Sequence, residues 1–141
     1  MASGKSVAAS LAAAAILASG GVVLGSGTAA ASSYNGACGA GYSVIDHHDL
    51  DGGTIFLTFK NGWNCVVTVR NQPGAAIHMM AEIERNTDSN TLQIDEGNYT
   101  TYAGPVFIYA PQTCVTWGGQ IQPPPPYQGG NAWWQVGGHC G

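Results

Sequence analysis

The residues of this chain with the most obvious chemical potential are two carboxylates set two apart, Glu82 and Glu84. On a strand they point to one face at roughly 7 Å spacing, a separation compatible with the acid–base pair of a glycosidase. The run Ile77–Arg85 that carries them places Met79, Ala81 and Ile83 on the opposite face. Both carboxylates therefore fall on an outer face, with nothing near them to raise a pKa, and the pair reads as a solvated strand surface. A second concentration of reactive groups is Asp46-His-His-Asp-Leu-Asp-Gly-Gly53. Its Asp49-Leu-Asp51-Gly52 resembles the start of a calcium loop, but the third acidic position and the distant Glu of that motif are missing. His47 and His48, if extended, face opposite ways, unlike a pre-built zinc site. Asp and Gly are ordinary turn residues, so the segment reads as a turn between strands, and no metal or cofactor is implied. His78 and His139 show no partner pattern.

Nucleophilic catalysis finds little to work with. Residues 32–141 hold four serines, Ser32, Ser33, Ser43 and Ser89, and none sits in a G-x-S-x-G elbow. Ser89 lies in the turn-like Asn86-Thr-Asp-Ser-Asn90. The four cysteines, Cys38, Cys65, Cys114 and Cys140, include no C-x₂₋₄-C pair of the kind that binds zinc. In an exported chain they imply two disulfides with three possible connectivities. Pairing of neighbours, Cys38–Cys65 and Cys114–Cys140, is preferred because each closes a short loop and staples one end of the domain.

Aromatic side chains are the remaining candidates for recognition. Trp133 and Trp134 are adjacent, so on a strand one points inward and the other toward solvent. With Tyr127 they form a candidate ligand surface for sugar rings or another protein. Core filling is the competing account, since a small β domain needs a few large side chains.

These residues must be carried by a particular kind of chain. Residues 6–45 contain no charged side chain. Lys5, the apolar stretch Val7–Leu17 and the closing Ala29-Ala30-Ala31 follow the order of a secretory signal peptide. Cleavage after Ala31 leaves Ser32 as the new N-terminus, so residues 1–31 are the signal peptide and 32–141 one domain. The alanine-rich stretch is broken by Ser19-Gly20-Gly21 and Gly25-Ser26-Gly27, which disfavours a membrane anchor. The product is expected to be secreted and extracellular, with no membrane association after cleavage. Residues 32–141 hold three cations, Lys60, Arg70 and Arg85, against eight acids, a net charge of −5. Nucleic-acid binding rests on clustered Lys and Arg, so nucleic acid is not a partner to expect.

Short β-branched and aromatic runs alternate with Gly, Pro, Asn and Asp clusters, the style of an antiparallel all-β domain. The clearest unit is Thr54–Lys60, then Asn61-Gly62, then Trp63–Arg70. Asn-Gly readily supplies the positive φ angles of a tight hairpin turn. Further strands are expected at Tyr42–Asp46, Ile77–Arg85, Val106–Ala110, Cys114–Trp117 and Ala132–Val136. Ile77–Arg85 also fits a helical face, but an isolated helix that short is marginal, and strand is chosen. The expected architecture is a small antiparallel β-sandwich, or alternatively an open β-barrel, with two disulfides. Pro123–Pro126 cannot pair in a sheet and reads as a stiff polyproline surface loop.

Tyr34-Asn-Gly-Ala-Cys-Gly-Ala-Gly-Tyr-Ser-Val-Ile45, Gly53–Phe59, Asn64-Cys-Val-Val-Thr-Val-Arg70, Gly97–Val106, Cys114-Val-Thr-Trp-Gly-Gly119 and His139-Cys-Gly141 together resemble the spore-associated protein A family of actinobacteria. The resemblance implies a small secreted protein found on or near spores and aerial growth, with no enzymatic activity and no catalytic residues to carry over. Pro123–Pro126, Trp133-Trp134 and His47-His48 depart from the family pattern. The functional expectation is a non-enzymatic secreted protein of the spore or cell surface. The alternatives are a module that binds cell-wall or spore-envelope polysaccharide through exposed aromatics, and an extracellular hydrolase inhibitor.

Overall fold

The computed structural model describes residues 32–122 and 131–141. The expected signal peptide, the proline tract and Tyr127 lie outside the described residues. Eight strands run in order, β1 (Ser43–Leu50), β2 (Gly53–Lys60), β3 (Trp63–Arg70), β4 (Ile77–Arg85), β5 (Asp88–Tyr99), β6 (Tyr102–Tyr109), β7 (Val115–Ile121) and β8 (Ala132–Gly138). They form two antiparallel four-stranded sheets, ordered β1-β2-β3-β6 and β5-β4-β7-β8. This is the expected sandwich and not a closed barrel.

The β2–β3 hairpin turns at Asn61 (φ 48°) and Gly62 (φ 84°), the two positive φ angles of a primed turn. Register then pairs Lys60 with Trp63 and Leu57 with Val66. Ile55, Leu57, Val66, Val106 and Ile108 of the first sheet face Met79, Ala81, Ile83, Val115, Trp117 and Ile121 of the second, all buried. A hydrogen bond joins the sheets at Thr68, whose hydroxyl donates to the Met80 carbonyl at 2.8 Å. Gly119 leaves room for that contact, since a Cβ there would lie 2.6 Å from the Met80 carbonyl oxygen and collide with the Thr68 hydroxyl. Gly119→Ala is therefore expected to lower the unfolding free energy by about 1–3 kcal/mol through overpacking, read as a drop in urea midpoint at unchanged m-value.

Strands β2 and β3 are buried on both faces. The outer side of the first sheet is covered by residues 32–42, pinned by the Cys38–Cys65 disulfide. Phe56, Cys65, Val67 and Val69 form a second small core there with Cys38, against which Tyr34, Tyr42 and Phe107 pack. This explains the unbroken apolar runs Ile55-Phe56-Leu57 and Val66-Val67, which serve two cores at once. The second disulfide, Cys114–Cys140, ties the start of β7 to the chain after β8. Both pairings are those the loop lengths favoured.

Two expectations are corrected. β5 spans 12 residues, Asp88–Tyr99, where the sequence suggested a turn at Asn86–Asn90 and named no strand before Val106. Here the usual alternation is inverted: Leu92 and Ile94 are exposed, while Asp95 faces inward and accepts the Tyr99 hydroxyl and, at 2.6 Å, the Gly104 N–H. An edge strand with an inward carboxylate gives no apolar period to read. β1 likewise runs on through His47 and His48 to Leu50, so the turn is only Asp51-Gly52, with Gly52 at φ 89°. Pairing with β2 overrides the poor strand preference of Asp and His.

Candidate functional site

Antiparallel register decides which chemistry-bearing side chains meet. Trp133 and Trp134 alternate across β8 as expected, and they enter two different environments. Trp133 points into the mouth between the sheets. Its ring lies 5.0 Å from that of buried Trp117, edge-on at 73°, and stacks on His48 of β1 at 4.1 Å and 4°. Trp117 Nε1–H donates to Gln135 Oε1 at 2.8 Å. Nearby, His139 Nε2 lies 2.8 Å from Asp46 Oδ2, closing β1 to the C-terminal end of β8. His48 of the Asp46–Gly53 segment and His139, which showed no partner pattern in the sequence, thus join the two sheets across their open side. Their partners lie 85 and 93 positions away, a separation no local pattern discloses.

The Asp49 carboxylate and the Asp51 backbone serve structural contacts around the β1–β2 turn. Asp49 accepts the Thr54 hydroxyl at 2.8 Å. The Asp51 N–H donates to Asn131 Oδ1 at 3.1 Å, and Asn131 Nδ2 donates back to the Asp51 carbonyl. Among the described residues no group of three or more His, Cys, Asp or Glu is placed to hold a metal ion. His47 faces away from His48, its ring 6.3 Å from Phe56.

Trp134 faces outward and is 40% exposed. Register aligns it with Gly118 of β7 and, beyond that, Glu82 of β4. Gly118 makes the alignment usable, because a Cβ there would lie 2.7 Å from the indole Cγ. With no side chain between them, the Trp134 ring leans across β7 toward Glu82. Burial pushes the Glu82 carboxyl above its ordinary value of 4.5, the Trp134 indole works against the rise, and the charges of Glu84 and Glu96 add to it. The expectation that nothing lies near this pair is therefore corrected. What raises the pKa is chiefly burial, with the charges of Glu84 on the same strand and Glu96 on β5 adding to it. On the same face His78 Nε2 lies 2.9 Å from Glu96 Oε1.

The raised Glu82 pKa carries a pH dependence. Between the unfolded and folded pKa the native state binds more protons, so stability falls as pH rises through that window, which begins near 4.5. Glu82→Gln is expected to leave the melting temperature unchanged below that window and to raise it slightly at pH 7. Melting curves at pH 4 and pH 7 check this, and a variant less stable than the parent at pH 7 would contradict it.

A second exposed aromatic group was not singled out from the sequence. Register lines up Lys60, Trp63 and Tyr109 across β2, β3 and β6 on the outer face of the first sheet. Trp63 is 44% and Tyr109 46% exposed, and their rings lie 5.4 Å apart at 50°. The sequence signal was present in the hairpin: Trp63 directly follows Asn61-Gly62 and so emerges at the sheet's end. Its partner Tyr109 could be found only from the β3–β6 pairing.

Comparison with known proteins adds one relative. The chain is similar to "Spore-associated protein A" of Streptomyces coelicolor, 43% identical over 121 residues, which covers 83% of this chain and 73% of that protein. No family model matches the chain, and no solved structure matches it.

Proposed function

The chain belongs to the spore-associated protein A family, and from that premise we propose that it is a secreted, non-enzymatic protein of the spore or cell surface. The observation that carries this reading is the breadth of the relationship, 43% identity across 83% of the chain, to a protein whose name records association with spores. Export is supported by the leader-like order of residues 1–31 and by four cysteines that fit an oxidising compartment. A non-enzymatic role is supported by how the reactive groups are spent. Asp46, Asp49 and His139 are engaged in tying strands together, and the cysteines are in disulfides.

Attachment to a polysaccharide of the envelope or wall is a second reading, favoured by the exposed Trp134 ring lying beside Glu82 on a sheet face. An aromatic ring with a carboxylate at its edge offers a sugar both an apolar surface and a hydrogen-bond acceptor. Of the three aromatics proposed as a ligand surface, Trp133 is turned inward against Trp117, so Trp134 carries this reading among the described residues.

The experiment is fractionation of a sporulating culture that expresses the full chain with a C-terminal epitope. The protein is expected in the supernatant and on washed spores, with its N-terminus at or near Ser32 by mass spectrometry. Retention of the uncleaved chain inside the cell would reject the proposal.

A further inference from the structure

We propose that Trp63 and Tyr109 form a glycan-binding platform whose occupant is a single, twisted strand of an uncharged polysaccharide. The inference rests on the surface-attachment reading above and names a site and ligand class for it. Large aromatic rings left in water are informative when they are contiguous, and these two are neighbours on paired strands, 5.4 Å between centroids. Paired strands set them roughly 4.8 Å apart across the sheet, a step similar to the advance of one pyranose unit along a glycan. Each ring therefore meets a successive sugar.

The site is built into the sheet. Trp63 and Tyr109 lie on β3 and β6, held in register with each other. The Tyr109 ring leans over the hairpin turn because Gly62 has no side chain: a Cβ there would lie 2.7 Å from Tyr109 Cε2. Arg85 fixes the same strand by donating Nε–H and Nη2–H to the Tyr109 carbonyl at 3.0 and 2.6 Å. Little conformational freedom remains to be lost on binding. Exposed amides at Asn61 and Gln112, in the turns at this end of the sheet, supply donors and acceptors for hydroxyls.

Ring geometry and charge narrow the occupant. Planes at 50° to one another cannot both lie flat on a crystalline face, but they match a chain that twists from one sugar to the next. Lys60 is already engaged, donating to the Ala40 carbonyl at 2.8 Å with its ammonium 5.7 Å from the Tyr42 ring centroid. A domain with three cations and eight acids repels polyanions. Charge complementarity thus favours a neutral polymer over an acidic one.

The test is affinity electrophoresis of the secreted protein in gels containing hydroxyethyl cellulose, a soluble neutral β-glucan, with pull-downs on microcrystalline cellulose and on polygalacturonate. Retardation by the soluble glucan is expected, weakened roughly tenfold by Trp63→Ala and by Tyr109→Ala, and unchanged by Val136→Ser on the other sheet. Trp63→Leu, which keeps apolar bulk but no ring, is expected to lose binding as Trp63→Ala does, and it serves if the alanine variant is poorly secreted. No retardation by the glucan, binding only to the crystalline or acidic polymer, or retardation indifferent to both ring removals would overturn the site. Spore retention that depends on Trp134 and not on Trp63 also overturns it, while leaving the surface-attachment reading intact. Glucan binding through Trp63 without any spore retention keeps the site and removes that reading instead.

Discussion

Replacing Cys38 and Cys65 together by alanine is expected to lower the unfolding free energy by about 3.5 kcal/mol or more. The chain-entropy relation alone gives that figure for a loop closed over 27 residues. This disulfide also pins residues 32–42 over Phe56, Val67 and Val69. Without it the covering segment frays, and apolar area that was dry on the outer face of β2 and β3 returns to water. Domains of this size have only about 5–15 kcal/mol in total, so the variant is expected to secrete poorly and to lose amide protection first in β2 and β3. The comparison that isolates the covering effect is the Cys114→Ala, Cys140→Ala variant. Its loop is nearly equal, 26 residues, but Cys140 is exposed and holds down no second core. Urea midpoints should therefore fall further for the first pair than for the second, and equal losses would mean that residues 32–42 stabilise nothing.

Trp117→Ala is the second large effect expected. Trp117 is fully buried at the centre of β7, and truncating a residue of that size costs about 3–5 kcal/mol, the transfer loss plus the cavity left behind. Two further contacts go with it. Gln135 loses the indole donor to its Oε1, and Trp133 loses the ring that backs its stack on His48. The damage should therefore spread to the open side of the sandwich, and hydrogen exchange in β8 should quicken more than in β5. Trp117→Phe keeps much of the apolar volume and should recover roughly half the loss in denaturant midpoint. A midpoint unchanged by the alanine variant would contradict the packing described.

Legibility of the sequence followed how local each cause was. The β2–β3 hairpin was readable because Asn61-Gly62 and the flanking alternation are contiguous signals. The disulfide partners were readable from loop length, and the alternation of Trp133 and Trp134 from strand geometry alone. β5 was not, since Asp95 faces inward for the sake of Tyr99 and Gly104, one of them on the next strand. The Glu82 environment was missed for the same reason: Gly118 and Trp134 reach it only through the β4-β7-β8 pairing. The Trp63–Tyr109 pair needed the β3–β6 register, which joins strands separated by β4 and β5. Single side chains could be assigned a face from the sequence, but which faces share a neighbour was decided by topology.

If the protein is held on the spore surface through aromatic contact, as the attachment reading proposes, salt is the direct test. Ion pairs between exposed groups weaken steeply as the screening length falls from about 10 Å at 0.1 M to about 3 Å at 1 M salt, whereas stacking of apolar ring faces does not. The measurement is the fraction of secreted protein sedimenting with washed spores from a strain lacking its own copy, at those two salt concentrations. The account predicts equal retention at both, reduced by loss of an exposed aromatic ring. Release of the protein by 1 M salt, with retention at low salt indifferent to Trp63→Ala, Tyr109→Ala and Trp134→Ala, would contradict it.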